Sequence, residues 1–186
     1  MKKFFLICFV YIFAAGLAFA EPDIEALYNN AEPFSSKLYN DVDPFEDEDA
    51  LKYAWSPYPL FRSSANLYFK DLTIEPGYYI LTPRTLKGKD YVLFKQSGKV
   101  VFIIPSAKTE QTPLNFYQAN TPQPRKTKLQ KFATNIRDKF YEISGDSMRA
   151  TPPKSYVNVD AGVTFITVLL YYGENKYTLI FKRTPY

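Results

Sequence analysis

Between Val163 and Arg183 the chain spells out a hairpin: an apolar run to Tyr172, the turn Gly173-Glu174-Asn175-Lys176, and a second apolar run from Tyr177. Runs joined this closely must pair antiparallel, because a parallel pair needs a crossover of about a dozen residues or more. In the first run both alternating sets are largely apolar, Val163/Phe165/Leu169/Tyr171 and Ile166/Val168/Leu170/Tyr172. A strand with one wet face would alternate, so this strand is expected to be central and covered on both sides.

Similar runs begin at Ala65. Ala65–Lys70 and Leu72–Glu75 lead to the turn pair Pro76-Gly77 and the run Tyr78–Thr82. A loop over Pro83–Lys89 follows, and then Tyr91–Gln96 and Lys99–Ile104 flank Ser97-Gly98, which reads as a tight turn with a positive φ at glycine. Val100–Ile104 is apolar in both sets and is expected to be two-sided, with Phe102 and Leu169 in the core. Pro105 to Arg125 reads as a connection with a short strand at Leu114–Gln118, and Tyr156–Asp160 precedes the final hairpin. One helical period stands out: Leu129, Phe132, Ala133, Ile136, Phe140 and Ile143 lay a stripe along residues 128–143, ended by Gly145. The predicted fold is mainly β, a small antiparallel β-sandwich or barrel with one packed amphipathic helix, preceded by an irregular acidic arm.

That core must be held by packing alone. The chain has no histidine, and its one cysteine, Cys8, lies in the N-terminal apolar run. Disulfide scaffolds, His/Cys zinc sites and Ser-His-Asp or Cys-His catalysis are thereby excluded, and neither metal nor cofactor is expected. Met1-Lys2-Lys3, the apolar run Phe4 to Phe19, and Ala18-Phe19-Ala20 before Glu21 have the form of a cleaved export signal. The run is shorter than the roughly 20 residues a spanning helix needs, so no integral membrane span is expected after cleavage. Residues 1–20 are thus read as signal peptide, 21–61 as the arm and 62–186 as the β-rich domain, in a periplasmic or extracellular setting. An outer-membrane barrel is not expected, since only Val163–Tyr172 is long enough to span and it does not alternate.

Charge is divided along the chain. Residues 21–50 carry ten carboxylates against Lys37 alone, whereas residues 51–186 carry 20 Lys and Arg against nine Asp and Glu. Within the acidic part Leu27-Tyr28-Asn29-Asn30-Ala31-Glu32-Pro33-Phe34 recurs as Leu38-Tyr39-Asn40-Asp41-Val42-Asp43-Pro44-Phe45, with a degenerate echo from Tyr53 to Pro57-Tyr58. Two readings follow. The copies could be linear motifs with Tyr28, Phe34, Tyr39 and Phe45 as anchors for a partner, or the arm could lie on its own basic body and cover sheet edges. A basic stretch including Lys128 and Lys131 adds a surface for an anionic glycan or an envelope protein; nucleic acid is not expected outside the cytoplasm. A glycan binder would show two or three aromatic faces along one groove.

Ile143-Ser144-Gly145-Asp146-Ser147-Met148, followed by Tyr156–Asp160 and a hairpin ending at Lys182-Arg183, resembles the self-cleaving repressor and mutagenesis-protein family and, more loosely, signal peptidases. That resemblance implies Ser147 as nucleophile and Lys182 as base. The leading expectation is an exported β-rich binding or structural module of the cell envelope, with a serine-lysine hydrolase as the alternative.

Overall fold

The computed structural model describes residues 23–34, 41–121, 127, 132, 136 and 149–185. It is mainly β, with two antiparallel sheets in a sandwich-like arrangement. The first sheet runs β1-β4-β5-β6, from β1 (Leu60–Ser63), β4 (Gly77–Leu86), β5 (Lys89–Gln96) and β6 (Lys99–Pro105). The second runs β3-β2-β10-β9-β8, from β2 (Leu67–Phe69), β3 (Leu72–Ile74), β8 (Ser155–Ala161), β9 (Phe165–Tyr172) and β10 (Asn175–Lys182). β10 is paired with β9 along its whole length. Its other edge is shared, with β7 (Lys108–Gln111) on Asn175–Thr178 and β2 meeting Lys182. Among the described residues no helix is long and apolar enough to cross a membrane.

The apolar faces meet at Phe94 of β5. Its ring lies edge-on to Phe61 at 6.0 Å, Tyr79 at 5.7 Å and, from the opposite sheet, Phe181 at 6.1 Å. Edge-to-face contacts of this kind add about 0.5–1.5 kcal/mol each beyond the area they bury. Leu81, Val92 and Ile104 extend this face, and Val168, Leu170 and Leu179 oppose it.

The hairpin turns have the chirality expected. Ser97 and Gly98 both have positive φ, 51° and 77°, which matches the right-handed twist of the strands they join. Lys87 and Gly88 repeat the device at 52° and 75°. The final turn is narrower than its sequence reading, with only Gly173 and Glu174 between β9 and β10.

Several sequence expectations are corrected. β4 continues through Pro83, where a loop was expected. The N–H of Leu81 points to the β1 side, to the carbonyl of Pro59 at 3.1 Å. The nitrogen of Pro83, two residues on, points the same way but beyond the last β1 pair at Leu60, so no ladder bond is lost. β6 is an edge strand, not a two-sided one, and Val101 is exposed. The strand covered on both faces is β5, whose residues Tyr91 to Lys95 are all buried. β9 is central as expected, but its outer-face Leu169 is only half-buried, as is Phe102 on β6, and Val163 stands exposed before the strand begins. The expected strand at Leu114–Gln118 is replaced by α3 (Phe116–Asn120), which stacks Phe116 on Tyr171 at 3.7 Å. β1 and β7 were not anticipated, and β1 crosses the expected arm boundary at residue 61. Most of the 128–143 stripe lies outside the described residues. Phe132 and Ile136, the two stripe positions described, are helical and exposed rather than packed.

Candidate functional site

The arm lies on the body, and it explains why β5 is buried on both faces. α1 (Ile24–Asn30) starts at Asp23, whose Oδ1 accepts the N–H groups of Glu25 and Ala26 at 3.1 Å. One turn on, Tyr28 is completely buried, 5.8 Å from the ring of Phe69 and 5.5 Å from that of Phe165. Its hydroxyl accepts the N–H of Lys70 at 2.9 Å, and the ammonium groups of Lys70 and Lys182 lie 4.6 and 5.5 Å from its ring centre. Phe34 then lies edge-on to Tyr91 at 5.1 Å, while Glu32 pairs with Lys89.

The second copy repeats this docking at greater depth. The Asp43 carboxylate is fully buried between Arg84 and Lys95. Arg84 donates to both its oxygens, Nε at 3.1 Å and a terminal nitrogen at 2.7 Å, and the Lys95 ammonium lies at 2.9 Å. Asp43 Oδ1 also accepts the N–H of Phe45 at 3.2 Å, which turns the chain into α2 (Glu46–Lys52). Register puts both cations on the outer face of the first sheet, since Arg84 pairs with Tyr91 and Ile80 with Lys95. In each copy, therefore, the acid before proline pairs with a cation of this sheet. The phenylalanine after proline packs beside it, Phe34 on Tyr91 and Phe45 at 5.6 Å from the Arg84 guanidinium.

Asp49 of α2 and the hydroxyl of Tyr58 complete the cluster, both bonded to Arg84 and to each other. Burial alone pushes the Asp43 carboxyl up, but the bonds from Arg84 and Lys95 outweigh it and hold the group below its ordinary range. Burial, then the bond to Asp49, push the Tyr58 phenol up. Among the described residues no group of three or more potential metal ligands is assembled.

Beside this cluster a cleft of about 300 Å³ opens between the arm and the first sheet. α2 supplies one wall with Glu46, Asp49 and Ala50, and the next residues supply Tyr53, Trp55 and Tyr58. Ile80, Lys95 and the turn residue Gly98 form the sheet side, and Arg149 also lines the cleft. Trp55, the only tryptophan of the chain, is 62% exposed. Tyr58 is held from behind by stacking on Tyr172 at 5.6 Å. The aromatic segment is pinned by backbone bonds from Ala54 N to Ala150 O at 3.1 Å and from Ala150 N to Lys52 O at 2.8 Å.

Of the residues singled out in the sequence, Tyr28 and Phe34 are used in packing against the body, and Phe45 lies beside Arg84. Lys182 stands beside Tyr28. Tyr39, Lys128, Lys131 and Ser147 lie outside the described residues. The cleft was not anticipated, although its aromatic wall overlaps the degenerate third echo of the repeat. Comparison with known protein families, curated proteins and solved structures finds no match to this chain.

Proposed function

We propose that the chain is an exported, non-catalytic binding module of the cell envelope, in which the acidic arm is a fixed wall of the ligand site. The observation that carries this reading is the cleft with Trp55 exposed on its rim. A concave site lined by aromatic and apolar groups, with a few polar ones at its margin, is the usual form of a small-ligand site. An exposed indole in such a place is hydration cost that a ligand relieves. The buried Asp43, Arg84 and Lys95 hold the two walls together, so the cleft is largely preformed and little ordering is needed on binding.

Ala50 faces the cleft from a helical position, so Ala50→Arg fills it with a side chain that helices accept. The wild-type chain should retain a component of envelope extract that Ala50→Arg does not, with both proteins melting alike. Equal retention by the two removes the cleft as the ligand site. Export is tested separately: N-terminal sequencing of the secreted product should begin Glu-Pro-Asp, and a product that keeps Phe4–Phe19 overturns it.

A further inference from the structure

Resting on the cleft as the ligand site, we infer that its ligand is an uncharged sugar ring of an oligosaccharide. Tyr53, Trp55 and Tyr58 line one groove. Tyr58 is already stacked on Tyr172 and faced by Arg84, and Lys52 lies over Tyr53, so the exposed ring of Trp55 is the one that offers an apolar face to a flat partner. A pyranose presents such a face of C–H groups bordered by hydroxyls. The groove also supplies what the hydroxyls need. Glu46 only accepts and Arg149 only donates, and a sugar hydroxyl does both.

Charge narrows the class. Glu46 and Asp49 are balanced by Lys95 and Arg149 within the lining. A ligand with net charge would bring an uncompensated charge into a partly desolvated site, which is costly, whereas a neutral polyol brings none. This points away from the anionic glycans suggested by the basic stretch at Lys128 and Lys131.

Backbone geometry argues against an extended peptide. Peptides commonly bind by adding a strand to an open sheet edge. The strands that floor the cleft, β4 and β5, are both interior to their sheet, and the arm backbone at Lys52 and Ala54 is already bonded to Ala150. A discrete ring needs no such edge.

Because Trp55 is the sole tryptophan, its emission reports the cleft directly. The full chain without its signal would be titrated with cellohexaose, chitohexaose, maltohexaose and mannohexaose, with polygalacturonate oligomers and tyrosine-containing hexapeptides as the competing classes. At least one neutral oligosaccharide should shift Trp55 emission saturably. The affinity should fall roughly tenfold or more in Arg149→Ala, a loss of about 1.4 kcal/mol or more, and Ala50→Arg should abolish the response. No shift with any neutral sugar overturns the inference, as does tighter binding of the uronate oligomer. If the peptides alone shift Trp55, the ligand class falls and the cleft remains the site. A sugar that binds Ala50→Arg as well as wild type, measured by calorimetry, overturns both.

Discussion

Asp43 is the residue on which the arm turns. It is a buried anion with two cations, Arg84 and Lys95, that are themselves 11% and 6% exposed. Removing one partner of a buried ion cluster costs more than the cluster contributes, because the remaining charges lose compensation. Asp43→Ala should therefore cost about 3–5 kcal/mol by urea denaturation, as such removals do. Glu32→Ala, at an exposed pair with Lys89, should change stability far less. The pH dependence has a definite sign. The folded Asp43 carboxyl is held below its unfolded value of about 3.9, so its contribution is complete above that value and is lost as pH falls through the lower folded one. Asp43→Asn should flatten the acid limb of the stability profile. An unchanged limb would mean that another carboxylate governs it.

At the scale of elements, the tight turns carry the strand order. Gly98 has φ of +77° with nothing within 4 Å of where a Cβ would stand, so the strain of a substitution there is purely conformational. Gly98→Ala should cost about 1–2 kcal/mol, the usual penalty of the left-handed region; a stability equal to wild type would mean that the turn relaxes to another type. These turns were legible in the sequence because Ser97-Gly98 and Gly173 sit between apolar runs, and local turn chemistry is written in neighbouring residues. β1, β7 and the two-sided burial of β5 were not. Their burial comes from partners far along the chain, as when Tyr91 is covered by Phe34 and Lys95 by Asp43 and Glu46. Pro83 misled for a related reason: whether a strand tolerates proline depends on where its neighbour stops. The candidate cleft was not legible: the charge asymmetry left contact between arm and body as one of two readings, beside free linear motifs. The meeting of Tyr53, Trp55 and Tyr58 with Ile80 could be seen only in three dimensions.

Over the whole molecule, the arm belongs to the fold. Tyr28 and Ala31 join the same buried cluster as Phe94 and Phe181. Deleting residues 21–50 should lower the melting temperature by several degrees or more, since for a domain of this length each 1 kcal/mol corresponds to about 2–4 °C. A melt equal to wild type would make the arm an ornament. The seating of Tyr28 also sets an order of assembly. Its pocket is made by Phe69, Phe165 and Lys182, so α1 can seat only after β2, β9 and β10 have been made. Until β10 arrives, Tyr28 has no finished socket and Asp43 lacks the rigid sandwich beneath its cations. The earliest described helix and the last described strand therefore lock together in one late step, and a defect in either leaves the other without its partner.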